Sequence, residues 1–241
     1  MKTTSLAFAI TLCLGLHLTF AQELDTFFKQ SDAFFKEHVH NGLVDYNSIS
    51  ENTDALDAIL TTAEKVDVVK SDTENFKAFW INAYNVLVIK GIIEQYPVKS
   101  PLDIKGFFES LKHNVAGKQL TLNDIENGIL RKNFPEEARI HFALVCAGLG
   151  CPPIINEAYL PSNLESLLQR QTERALNNPD FIQIKGKKVL LSQIFEWYRQ
   201  DFEQNGDSRI DFVNRFRQHK LDSKLKVGYY PYDWTLNELK K

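Results

Sequence analysis

The chain is poor in cysteine: three in 241 residues, of which only Cys146 and Cys151 lie beyond the first 21. It is also poor in net charge, −3, and has no basic run, so nothing in it calls for a nucleic-acid partner. Low-complexity segments, internal repeats and Pro/Gly-rich linkers are missing. The length therefore suits one domain with a proper core, or one domain with extensions. There is no phosphate-cradling glycine loop, no G-x-S-x-G elbow and no H-E-x-x-H pair, so no cofactor and no metal is implied. Beyond Ala21 no run is apolar for long enough to cross a bilayer.

The first residues, "MKTTSLAFAITLCLGLHLTFAQ", carry one lysine and then a mostly apolar run. Thr19 and Ala21 suit the small-residue positions of a cleavage site, which predicts a signal peptide over 1–21 and an exported chain, periplasmic or secreted. An N-terminal anchor needs a longer run. Acylation of Cys13 needs a small residue before it, where Leu12 stands. Cleavage removes one lysine and takes the net charge from −3 to −4.

"ELDTFFKQSDAFFKEHV" spaces Leu24, Phe27, Phe28, Phe34 and Phe35 as one face of a helix. "GLVDYNSI" reads as extended, and a second helix follows through Ala55, Leu56, Ile59 and Leu60. The strongest helix is "SDTENFKAFWINAYNVLVIKGIIEQYP", capped by Ser71 or Asp72 and closed by Pro97. Its middle is apolar nearly all round, as a buried central helix requires. "HNVAGKQLTL" predicts a hairpin turning at Ala116-Gly117, and Thr121 with Asp124 predicts a capping box opening "DIENGILRKNF". "ARIHFALVCA" reads as a buried strand. A helix from about Ser162 to Leu176, a hairpin turning at Lys185-Gly186, helices "SQIFEWYRQDF" and "RIDFVNRFRQH", and an aromatic tail complete the chain. The class is α+β: a buried central helix on a small, mostly antiparallel sheet, with further helices around it.

The stretches "FWINAYNVLVIKGI", "LTLNDIENGILR", "RIHFALVCAGLGCPPI", Ala158-Tyr159, "LSQIFEWYRQDF" and "YYPYDWTLN" together resemble the domain-of-unknown-function 547 family, over roughly Phe76 to Asn237. The resemblance implies a domain over 71–241 that includes the C-terminal helices and tail, preceded by a helical extension over 22–70 packed on it. It implies company with bacterial exported proteins and assigns no activity. Where many members are expected to have asparagine before the first cysteine, this chain has Val145. The arrangement also loosely resembles papain-like and transglutaminase-like folds, in which a helix packs on a sheet bearing the histidine. Their nucleophilic cysteine starts that helix; here the helix has none, so the analogy implies a rearranged or inactive site.

Chemistry concentrates in "RIHFALVCAGLGCPPI". On a regular strand Ile140, Phe142, Leu144 and Cys146 share one face and His141 the other, so His141 and Cys146 meet only if the strand breaks. Cys151 follows the loop "AGLG", which can fold back. Gly148 and Gly150 allow positive φ there, and converging N–H groups would form an anion nest. Three readings stay open: a Cys146–Cys151 disulfide, a catalytic or redox-active thiol at Cys151 with His141 as base, and a metal site still lacking a ligand. Against the second, Pro152 pushes Cys151 towards an extended conformation, away from a helix N-terminus.

Asn82 and Asn85 share one face of the central helix, either as hydrogen-bonded struts or as ligand contacts. Asp124 reads as a cap, while Glu126 is free to orient His141 or hold Arg131. His38 and His40 form a weak metal pair. The aromatic tail, Tyr229 to Trp234, reads first as core and second as a stacking surface for carbohydrate or peptide. The leading expectation is a thiol-dependent hydrolase or transferase with Cys151 as nucleophile, His141 as base, and Glu126 or Asn82 orienting. Its ligand would be a small molecule or peptide. The alternative is a non-catalytic binding or scaffold domain with a disulfide-stapled loop.

Overall fold

The structure, a computed structural model, describes residues 22–240; the expected signal segment 1–21, with Cys13, lies outside them. The N-terminal pattern forms helix α1 over residues 22–38, and Phe27, Phe28, Phe34 and Phe35 are buried as its spacing predicts. Phe27 meets Phe79 of the central helix at a centroid distance of 4.8 Å. A short antiparallel hairpin follows, β1 (Val39–His40) and β2 (Leu43–Val44). The extended reading of "GLVDYNSI" fails at Asp45. Its side chain accepts from Ser48 N and caps helix α2 (Tyr46–Glu51), meeting a donor that the first helical turn would otherwise leave unpaired.

Helix α3 (Asp54–Lys65) and α2 both pack on the central helix α4 (Thr73–Ile93). Fifteen of the 21 residues of α4 are buried, which makes it the core of the molecule. Against the expectation that no run beyond Ala21 is apolar for long enough, it is the one helix among the described residues long and apolar enough to cross a membrane, but 83% of its apolar window is buried inside the protein.

The hairpin β3 (His113–Val115) and β4 (Lys118–Leu120) turns at Ala116-Gly117 as expected, with Ala116 at φ 50° and Gly117 at φ 65°. The capping box is present: Thr121 Oγ1 accepts from Asp124 N, and Asp124 Oδ2 accepts from Thr121 N. The helix it opens is wound as a π-helix over Asp124–Arg131 and lies against α4.

Helix α5 (Leu164–Asn177) follows, then β5 (Ile182–Lys185) and β6 (Lys188–Leu191), antiparallel and turning at Gly186-Lys187, one residue later than expected. Short helices α6 (Ile194–Trp197), α7 (Arg199–Phe202) and α8 (Arg209–Phe216) lead to β7 (Lys226–Tyr229). Strand β7 pairs parallel to β6. The class is α+β, with its strands in three small sheets: β1–β2, β3–β4 and β5–β6–β7.

The main departure from expectation is "ARIHFALVCA", which is no strand. Ala138–Phe142 coils into a 3-10 turn, with Ala143 N and Leu144 N both donating to Ile140 O. Beyond it the backbone runs irregularly, and Asn85 on α4 supplies the partner that a neighbouring strand would have given. Its Nδ2 donates to Ala143 O at 3.0 Å, and its Oδ1 accepts from Val145 N at 2.9 Å. Asn82 does the same for Tyr159, accepting from its N at 3.0 Å and donating to its O at 2.6 Å. Two buried amides on one helix face thus replace sheet pairing.

Candidate functional site

With the strand broken, residues 139–151 contribute one wall of a cavity of about 230 Å³. His141, Cys146 and Cys151 all line it, although strict alternation separates His141 from Cys146. The cysteine loop is clamped from outside by the C-terminal tail. Leu149 N donates to Thr235 O, Gly150 N to Asp233 O, and Asn237 N to Ala147 O. The first two consume the Leu149 and Gly150 N–H groups, which an anion nest in the loop would need. The left-handed residue of the loop is Ala147, at φ 62°, while Gly148 and Gly150 are absent from the positive-φ positions. Both glycines serve close approach instead. A Cβ on Gly150 would stand 2.9 Å from Asp233 N and from Tyr232 Cδ1.

The Cys146 and Cys151 sulfurs stand 2.22 Å apart, at disulfide distance. The Tyr232 hydroxyl lies on both, 2.9 Å from Cys151 Sγ and 3.0 Å from Cys146 Sγ. Cys151 Sγ also accepts from Cys146 N at 2.9 Å. Burial pushes the Tyr232 hydroxyl well above its ordinary range, so it stays protonated as a donor.

His141 is buried, stacked on Tyr198 at a centroid distance of 4.1 Å with Phe202 at 5.3 Å. Its Nε2 stands 2.7 Å from Asp201 Oδ2. Arg131 closes on the same carboxylate through Nε at 2.6 Å and Nη2 at 2.8 Å, and its guanidinium lies 4.8 Å from the Tyr198 ring centroid. Burial alone would raise the Asp201 carboxyl, but hydrogen bonds from His141 and Arg131 outweigh it and hold it well below the usual carboxylate range. The π-helix extends the chain: Arg131 Nη1 donates to Asn127 Oδ1, and Asn127 Nδ2 donates to Asn123 Oδ1 at 2.7 Å. One polar chain thus runs from Asn123 to the imidazole.

Asp201 is therefore the partner of both His141 and Arg131, the roles that the sequence suggests for Glu126. Glu126 lines the cavity, but it accepts from Tyr84 Oη at 3.2 Å. Asn82 is no part of the cavity wall, since its amide is engaged by the backbone of Ala78 and Tyr159. His38 packs on Phe34 and His40 is exposed. The described residues contain no group of three or more His, Cys, Asp or Glu side chains placed to hold a metal ion. The one local signal for Asp201 is an acid set between Tyr198 and Phe202, two aromatics that both pack on His141. Its 60-residue separation from His141 left the pairing without a local pattern. In the aromatic tail Tyr232 is buried, as its core reading expects, and Tyr232 and Trp234 also line the cavity.

Residues 69–176 match the model of a family described as protein of unknown function, DUF547. Comparison with curated proteins and with solved structures finds no match.

Proposed function

For this chain, whose residues 69–176 match the DUF547 family model, we propose a thiol-dependent acyl hydrolase or transferase acting in its reduced form, with Cys151 as nucleophile. One observation carries the reading: a histidine gripped by a carboxylate shares a largely aromatic cavity with a sulfur that accepts two hydrogen bonds. The Tyr232 hydroxyl lies on both sulfurs, but the bond from Cys146 N reaches Cys151 Sγ alone and favours the thiolate there. Asp201 holds the imidazole in position, as orienting carboxylates do in acyl-transfer triads.

In the closed pair neither sulfur is a nucleophile. A dithiol reductant takes both sulfurs to thiols and leaves as its own disulfide. His141 then accepts the Cys151 proton and Sγ attacks a carbonyl carbon. The tetrahedral adduct collapses to a thioester as the leaving group takes the proton back from His141. Water or an acceptor nucleophile resolves the thioester, and Cys151 is restored. The Tyr232 hydroxyl stabilises the thiolate at the start and end of the cycle.

The test uses reduced protein and p-nitrophenyl acetate, read by peptide mass. The expected adduct is an acetyl group on Cys151 that turns over in the wild type and forms much more slowly in His141→Ala. Acylation of Cys146 instead, or equal rates in the two proteins, overturns the reading. We also propose that residues 1–21 direct export. A secreted or periplasmic product beginning at Gln22 is expected, and an intact N-terminus on an exported chain refutes cleavage there.

A further inference from the structure

Aromatic rings are the commonest side chains on the cavity wall. Trp197, Tyr232 and Trp234 pack on one another with centroid distances of 4.7 to 5.9 Å, and Trp197 is 46% exposed at the surface. The acidic side chains on the lining are Glu109 and Glu126, and no lysine or arginine lines it among the described residues. Arg131, whose charge also reaches Glu126, is bound to Asp201 and packed on the Tyr198 ring and does not itself line the cavity.

Glu126 is half-buried, and the side chains that bond to it, Tyr84 and Tyr198, are neutral donors. Burial and then the Glu126 charge push the Tyr84 hydroxyl well above its ordinary range, so it remains a neutral donor. A negative charge beside π-faces, in a recess partly closed to water, favours one ligand chemistry. The carboxylate and the ring quadrupoles both attract a cation, whereas an anion is repelled by both.

We propose that this cavity recognises an organic ammonium group, with the nitrogen on Glu126 and the adjoining methylenes against Trp197, Tyr232 and Trp234. The substrate class for the thiol chemistry above is then an amine-bearing acyl compound, or an amine as the acceptor. That consequence rests on the thiol-enzyme reading, while the recognition itself rests on the walls alone.

Ligand-observed NMR titration of the full-length wild-type chain separates the two, because it reads binding without turnover. The probes are n-butylammonium, the neutral alcohol 1-pentanol, whose additional methylene favours the neutral ligand, and pentanoate. Butylammonium is expected to bind about tenfold more tightly than pentanol, with pentanoate weakest. Glu126→Gln should lose about that same factor for butylammonium and nothing for pentanol, with its melting temperature unchanged. Trp197→Ala, which truncates an exposed side chain, should weaken the ammonium severalfold. Pentanol or pentanoate binding as tightly as butylammonium, no saturable ammonium binding, or full ammonium affinity in Glu126→Gln would each overturn it. An ammonium-binding protein that fails the acylation test keeps this proposal and loses the enzymatic one.

Discussion

Replacing Asp201 by asparagine keeps the shape of the side chain and removes only its charge. The carboxylate takes three short hydrogen bonds, one from His141 and two from Arg131, at 2.6 to 2.8 Å. An amide offers one oxygen to those donors and turns its own NH₂ group towards the rest. Breaking a buried charged network costs several kcal/mol, but the Arg131 side chain keeps 26% of its surface in solvent and recovers part of that from water. The expected loss is about 2–4 kcal/mol at neutral pH, a fall of roughly 5–15 °C in Tm.

The pH dependence follows from the sign of the shift. The folded-state pKa of Asp201 is depressed, so its stabilisation is complete above the ordinary carboxylate pKa of about 3.9 and drains as pH falls below it. Urea denaturation of both proteins at pH 7, 5 and 3 should therefore show the gap narrowing on the acid side. A gap below about 1 kcal/mol at pH 7, or one that widens towards pH 3, would refute the assignment of Asp201 as the anchor of the network.

Asn85→Ala strands the carbonyl of Ala143 and the N–H of Val145, and should cost about 2–4 kcal/mol in urea denaturation; a change under about 1 kcal/mol would mean that water replaces the amide. Gly150→Ala drives a Cβ into Asp233 N and the Tyr232 ring, so the tail should loosen at a cost of about 1–3 kcal/mol, read as faster proteolysis near Tyr232. His113, buried and facing Lys90, has its pKa lowered to about 4 by burial and then by that charge. Because the folded-state value is depressed, stability should fall as pH drops from about 6.5 towards 4. His113→Gln should flatten that slope, and an unchanged slope would assign it to other groups.

What the sequence by itself determined is what short-range physics carries. The 3.6-residue spacing of Phe27, Phe28, Phe34 and Phe35 specifies α1, and the all-round apolar middle of Thr73–Ile93 specifies a core helix. Thr121 with Asp124 specifies a cap, Ala116-Gly117 a turn, and the crowding of His141, Cys146 and Cys151 the neighbourhood of the cavity. Each of these signals lies within a turn or two of chain.

Tertiary structure decided everything that depends on a partner far away. An apolar run such as "ARIHFALVCA" satisfies its backbone as a strand only where another strand is available. Here a side-chain amide from α4 stands in that place, and the broken strand swings His141 onto the wall that carries both sulfurs. Asp201 reaches His141 from 60 residues away because aromatic packing of α7 brings it there. The glycines of the cysteine loop are needed because the C-terminal tail lies on them. Periodicity predicts which face a residue presents, but what that face meets depends on the packing of distant elements.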